Sequence, residues 1–187
     1  MPRWEADAAG RLQRAALELF DERGFDRTTV AEIAKRAGLN ERSFYRYFAD
    51  KREVLFDGDG NLEAYLTQAL EAAPAALSPL DAMLAILADA ERMFLPKGLL
   101  RTRERVIEAN PQLRERELIK LASLASAIAD ALRRRGVADP AASLSAEAGI
   151  AVFRIAFERW VDETNQRDLP ELIRDSLDEL KAVTAGK

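Results

Sequence analysis

The chain has 187 residues, 48% of them apolar and 32% charged, with a formal charge of −4, as expected of one generous or two small globular domains. It holds no Cys and no His, so disulfides, thiolate or imidazole metal sites, Cys nucleophiles and Ser-His-Asp triads are excluded for want of side chains. No window reaches about 18 consecutive apolar residues, and the opening MPRWEADAAGR lacks the basic-then-apolar run of a secretory signal, so a cytoplasmic protein without a membrane span is expected.

Apolar residues recur with the helical period along the chain, and no run of alternating β-branched residues argues for a strand. The first predicted helix carries Leu12, Ala16, Leu19 and Phe20 on one stripe and ends at Gly24, because glycine takes the left-handed conformation without a Cβ penalty. Thr29 and Glu32 stand at the spacing of a capping box, so a short helix begins there and stops near Gly38. Asn40 opens another through Phe48. Asp50 and Glu53 predict the start of a longer helix carrying Val54, Leu55, Leu62, Tyr65, Leu66 and Leu70.

Pro74 and Ser78-Pro79 interrupt and restart the pattern. Leu80, Met83, Leu84 and Leu87 form the next stripe, followed by Met93, Phe94 and a turn at Pro96-Lys97-Gly98. A segment over Leu100 to Ala109 precedes Asn110-Pro111, which signals a new start. That helix holds Leu118, Leu121, Ala125, Ile128 and Leu132 and ends in Arg133, Arg134 and Arg135, cations suited to the negative end of a helix dipole. Asp139-Pro140 caps a stretch through Leu144, Ile150, Val152, Phe153, Ile155, Phe157 and Trp160 that is apolar on more than one face. A last helix follows Pro170 with Leu172, Ile173, Leu177, Leu180 and Val183. The final two helices are predicted to bury themselves against a second copy through Leu144, Val152, Phe157, Trp160, Leu172, Leu177 and Leu180.

Charge is distributed unevenly. Between positions 23 and 52, Arg23, Arg27, Lys35, Arg36, Arg42, Arg46, Lys51 and Arg52 face Asp26, Glu32, Glu41 and Asp50, a local excess of +4 that leaves −8 elsewhere. Such asymmetry suits a basic surface meeting a polyanion. Within it, residues 30–49 fit a helix-turn-helix, with Ala34 small at the helix crossing, Gly38 in the turn, and Ile33, Ala37, Leu39, Phe44 and Tyr47 facing the core. Glu41, Arg42, Ser43 and Arg46 are then left outward on the second helix, which enters a major groove in this motif. Arg42 and Arg46 can each offer two donors to guanine O6 and N7. Ser43 and Tyr45 suit phosphates or base edges, and Lys51, Thr28 and Thr29 suit phosphates.

The string TVAEIAKRAGLNERSFYRYFADK, residues 29–51, and the preceding AALELFDERGFDRTT resemble the DNA-binding signature of TetR-family transcriptional regulators. The resemblance covers about the first 55 residues. It implies that Thr29 opens the second helix, that Ser43, Tyr45 and Tyr47 lie on the recognition helix, and that Lys51 starts a fourth helix beside the phosphate backbone. Arg42 departs from the Gly or Pro that many relatives carry there. The implied fold is all-α, with a helix-turn-helix DNA-binding domain over 1–52 and a helical effector-binding and dimerisation domain over 53–187. The implied function is a ligand-responsive regulator, in most relatives a repressor, binding double-stranded palindromic DNA as a homodimer, with no metal or cofactor. RERVIEANPQLRERELIK, residues 103–120, is similar to a subgroup whose ligands include acyl-CoA thioesters. Met83, Leu87, Phe94 and Phe153 are the candidate apolar lining of an effector pocket, and Arg103 and Arg105 its candidate anion partners. Two other readings compete: an enzyme built on a carboxylate pair, against which no aspartate-rich metal motif or phosphate-cradling loop is found, and a helical protein-interaction module that does not bind DNA.

Overall fold

A computed structural model describes residues 7–56 and 61–186. Among these residues all regular structure is helical: α1 (Ala8–Arg23), α2 (Val30–Arg36), α3 (Glu41–Tyr47), α4 (Asn61–Ala72), α5 (Pro79–Asp89), α6 (Lys97–Glu108), α7 (Pro111–Arg134), α8 (Ala141–Val161) and α9 (Leu169–Thr184). Single 3-10 turns lie at Glu53–Leu55 and Ala90–Met93. No helix among the described residues is long and apolar enough to cross a membrane.

Helix ends follow local chemistry. Gly24 closes α1 with φ 87°, and Gly38 takes φ 70° after α2. At that second end the Gly38 and Leu39 amides donate to the Lys35 and Ala34 carbonyls at 3.1 and 2.8 Å, a Schellman arrangement that satisfies the last carbonyls of α2. Ser78 and Asp168 accept from the amides of Asp81 and Glu171 at the starts of α5 and α9. The arginines that end α7 meet carboxylates and a carbonyl, Arg133 with Asp130 and Asp139, Arg134 with Glu71, and Arg135 with Pro74 O.

Two compact units emerge, Met1–Gly60 with Leu95–Leu118, and Asn61–Phe94 with Ile119–Lys187. In the first unit Val54, Leu55, Phe56, Val106, Ile107 and Leu113 join the core of Leu12, Phe20, Ile33, Phe44 and Phe48. The long helix expected from Asp50 is broken, because Phe56 has extended backbone at φ −114° and ψ 168°. Three consecutive residues, Val54 to Phe56, are all buried. An α-helix places apolar neighbours at three and four residue steps, so it would not turn all three squarely to one side.

In the second unit α8 packs on both α5 and α9. The Met83 thioether occupies the place that a Cβ at Gly149 would take, which brings α5 close to α8. Phe94 edges onto Phe157 with centroids 5.5 Å apart and an interplanar angle of 84°, and Phe153 and Trp160 complete an aromatic cluster. The second apolar face of α8 thus finds much of its cover within the same chain. Val152, Trp160, Leu172 and Leu177, expected at a subunit interface, are buried within the single chain.

Candidate nucleic-acid interface

The reading surface is built on a short helix held from behind. Helix α3 has seven residues, too few to persist alone in water, so its position depends on packing. Phe44 is fully buried between α1 and α2, 5.3 Å from the Phe48 ring. At its start the Asn40 carboxamide oxygen accepts from the Ser43 amide at 2.9 Å and from the Ser43 hydroxyl at 3.1 Å. With Phe44 turned inward, Glu41, Arg42, Tyr45 and Arg46 face solvent.

Helix α2 opens on a complete capping box. Thr29 Oγ1 accepts from the Glu32 amide at 3.3 Å, while the Thr29 amide and hydroxyl donate to Glu32 Oε2 at 2.9 and 2.8 Å. Arg23 donates to the other carboxylate oxygen at 2.7 Å. The Thr29 backbone amide first, then its hydroxyl, holds the Glu32 carboxyl below the ordinary glutamate range, with Arg23 adding to the effect. Replacing Thr29 by Ala removes the cap, and a loss of about 1 kcal/mol is expected. A urea midpoint identical to wild type would show that α2 does not depend on it.

Several of these cations are already paired. Arg36 pairs with Glu18 and Glu22, Arg23 with Glu32, and Arg52 with Asp50. Lys51 turns inward, its ammonium donating to Phe25 O at 2.7 Å and Thr28 O at 2.9 Å and standing 4.1 Å from the centre of the Phe25 ring. Burial pushes its pKa below the ordinary lysine value, against an opposing pull from Asp26. Arg46 lies over the Tyr47 ring and donates to its hydroxyl at 2.7 Å. Neither the Arg42 nor the Lys35 side chain has a hydrogen-bond or ion-pair partner among the described residues.

Of the eight residues expected to meet DNA, six lie on or beside this surface: Thr29, Arg42, Ser43, Tyr45, Arg46 and Tyr47. Tyr45 is 56% exposed. Two differ from expectation. Thr28 is 1% exposed and its hydroxyl donates to Gly24 O and Leu19 O, so it ties the turn to α1 instead of offering a hydroxyl to phosphate. Lys51 does not begin a fourth helix, and its charge braces the loop between α1 and α2. A sequence cannot distinguish a lysine aimed at phosphate from one aimed at two loop carbonyls.

The candidate effector residues are divided between the units. Met83 and Leu87 are core side chains of the second unit, and Phe94 and Phe153 belong to its aromatic cluster. Arg103 and Arg105 lie in the first unit, where Arg103 pairs with Glu104 and Glu117 and Arg105 with Asp21. The second unit has an open hollow of about 600 Å³ bounded by Asp89, Arg92, Phe94 and Pro170. Of the candidate interface residues, Leu144 is 65% exposed, whereas Phe157 and Leu180 are half-buried. Ile155 and Val183, not singled out for that role from the sequence, are also exposed. Ile155 lies eleven residues beyond Leu144, close to three full helical turns, and that spacing was the available signal.

The sequence profile of "Bacterial regulatory proteins, tetR family" matches residues 12–57, and that of the "MftR C-terminal domain" matches residues 77–185, more than half of the chain. The HTH-type transcriptional regulator TcmR of Streptomyces glaucescens is 41% identical over 73 residues, which are 39% of this chain and 32% of TcmR. HbdR of Aromatoleum sp. is 34% identical over 55 residues, 29% of this chain and 24% of HbdR. The matched region thus spans a third or less of these relatives. Thermus thermophilus FadR, a TetR-family repressor solved with lauroyl-CoA, superposes with a TM-score of 0.55 at 28% identity, covering 92% of this chain and 93% of FadR. SmeT, repressor of a Stenotrophomonas maltophilia multidrug efflux pump, shares the fold, with a TM-score of 0.58 at 21% identity over 94% of this chain and 89% of SmeT. A helix-turn-helix closed around Phe44 and profile matches at both ends lead to one assignment: the chain belongs to the TetR family of bacterial transcriptional regulators, with its DNA-binding domain at the N-terminus.

Proposed function

We propose that this regulator is a repressor that binds a two-fold symmetric operator as a homodimer and leaves it when a small molecule binds the second unit. The observation that carries the DNA side of this reading is the outward face of α3, where an unpartnered Arg42 stands one turn from Arg46 and beside Tyr45. These groups suit guanine O6 and N7 edges and base or phosphate contacts in a major groove. Thr29, Ser43 and Tyr47 flank that face and suit phosphate oxygens.

Leu144, Ile155 and Val183 on α8 and α9, with relative exposures of 65, 46 and 71%, support self-association, since exposed apolar side chains on neighbouring helices gain by being covered. The lauroyl-CoA bound by FadR, together with 28% identity across nearly the whole chain, supports an acyl thioester as the effector class. A ligand releases DNA only if it favours a protein state that the operator does not accept.

Repeated selection of bound duplexes from a random pool tests the operator. The enriched motif should be an inverted repeat with half-sites about 34–36 Å apart, one helical turn. Enrichment of a single asymmetric site, or of nothing above random sequence, contradicts the reading. Added lauroyl-CoA should then weaken binding to the enriched duplex, and unchanged binding would remove that effector.

A further inference from the structure

Several guanidinium groups around the helix-turn-helix are held by carboxylates. Arg23 pairs with Glu32, Arg36 with Glu18 and Glu22, and Arg52 with Asp50, so each of these cations already has an anion beside it. Arg46 is held differently. Its Nη2 donates to the Tyr47 hydroxyl at 2.7 Å, and its guanidinium carbon lies 4.8 Å from the centre of the Tyr47 ring. No carboxylate among the described residues pairs with it. By contrast Arg92, which also lies over a tyrosine ring, that of Tyr65, is paired with Asp89 as well.

The phenol is a firm support. Tyr47 is half-buried and packs against the core of the first unit. It is the last residue of α3, and the next amide, that of Phe48, donates to Phe44 O at 3.0 Å. The ring therefore has little freedom, whereas an exposed arginine samples many rotamers. A neutral ring and hydroxyl orient a guanidinium through the ring quadrupole and one hydrogen bond, and leave its charge for a polyanion. A carboxylate in the same place would orient it too, but would compete with DNA for it.

The same contact separates two like charges. Arg42 and Arg46 are one turn apart on the exposed side of α3, where neighbouring cations repel. Residue 47 lies a further step of about 100° round the helix, so the Arg46 guanidinium is drawn away from that of Arg42.

We propose that Tyr47 is a positioning residue for Arg46: it holds the guanidinium, uncompensated and apart from Arg42, in the pose from which it reads its own base pair. The proposal rests on the regulator reading above. The Tyr47 hydroxyl accepts from Arg46 and keeps its own proton to donate to a phosphate oxygen, so one residue serves base reading and backbone docking together.

The test measures affinities of the full chain for the duplex enriched by selection, for each single base-pair change in it, and for random duplex. The wild type is compared with Tyr47→Phe, Arg46→Ala, Arg42→Ala and the double variant Tyr47→Phe with Arg46→Ala. The two arginine variants identify the base pair that each guanidinium reads. Tyr47→Phe keeps the ring against the core and removes only the oxygen, so its urea midpoint should stay close to wild type. It should lower discrimination at the Arg46 base pair about 5-fold, the scale of one net hydrogen bond. Discrimination at the Arg42 base pair should be unchanged, and in the Arg46→Ala background Tyr47→Phe should alter no preference. A uniform loss on every duplex would make the hydroxyl a phosphate contact alone and overturns the proposal. Unchanged discrimination overturns it too, as does a gain in operator affinity, which would mean that Tyr47 parks Arg46 away from DNA. A loss of preference that persists beside Arg46→Ala, or an Arg46→Ala protein that relaxes no base pair, also overturns it. A wild-type chain that prefers no duplex over random sequence overturns the regulator reading itself, and the proposal with it.

Discussion

Phe44→Ala is expected to abolish operator binding by unfolding the reading head. Removing a fully buried aromatic ring typically costs about 3–5 kcal/mol, the lost transfer free energy plus that of the cavity left behind, and a whole domain has only about 5–15 kcal/mol to lose. Phe44 is 0% exposed, lies 5.3 Å from Phe48, and meets Tyr45 edge-on at 5.6 Å and 81°. No other residue of α3 is buried, so no second anchor compensates on that helix. Phe44→Leu fills most of the space and should cost about 1.5 kcal/mol or less. Denaturation by urea, followed by circular dichroism and by binding of the enriched duplex, separates the variants. A Phe44→Ala protein with wild-type midpoint and affinity would mean that α3 is held by something other than this ring.

Arg42→Ala and Arg46→Ala should act on sequence preference while leaving the fold intact. Both side chains are exposed, so their removal makes no cavity. A bidentate arginine contact to guanine contributes about 1–3 kcal/mol of discrimination, roughly 5- to 150-fold in the ratio of operator to random-duplex affinity. Arg46 already rests on Tyr47, which reduces the freedom it loses on binding, so its substitution should have the larger effect. Lys51→Met provides a contrast. Its two carbonyl partners lie within the first unit, so it should lower the denaturation midpoint and leave the preference between duplexes unchanged. Equal losses on operator and random duplex for both arginine variants would assign them to the phosphate backbone.

Capping signals were the most legible part of the sequence. Thr29 with Glu32, Asn40, Ser78 and the glycines at 24 and 38 act through partners within a few residues, so their geometry follows from spacing. The outward face of α3 was legible for a related reason: once Phe44 is assigned to the core, the helical period turns Arg42, Tyr45 and Arg46 to the other side. Thr28 and Lys51 are placed otherwise than expected because each meets its partners on a different segment. Thr28 reaches back to Leu19 and Gly24, and Lys51 reaches back to Phe25 and Thr28. Polarity beside a DNA-reading helix suits either use.

Periodicity, caps and turn glycines act over one or two helical turns, so the all-helical class, the helix-turn-helix and most of its exposed face follow from the order of the residues. Long-range packing set what that order left open: Val54, Leu55 and Phe56 leave the helical path for the core, and Arg103 and Arg116 brace that segment. It also decided that Val152, Trp160, Leu172 and Leu177 are covered within their own chain. Each of these depends on which distant surface arrives opposite a side chain. An apolar or charged stripe declares that it needs a partner, and the packing of the whole chain supplies it.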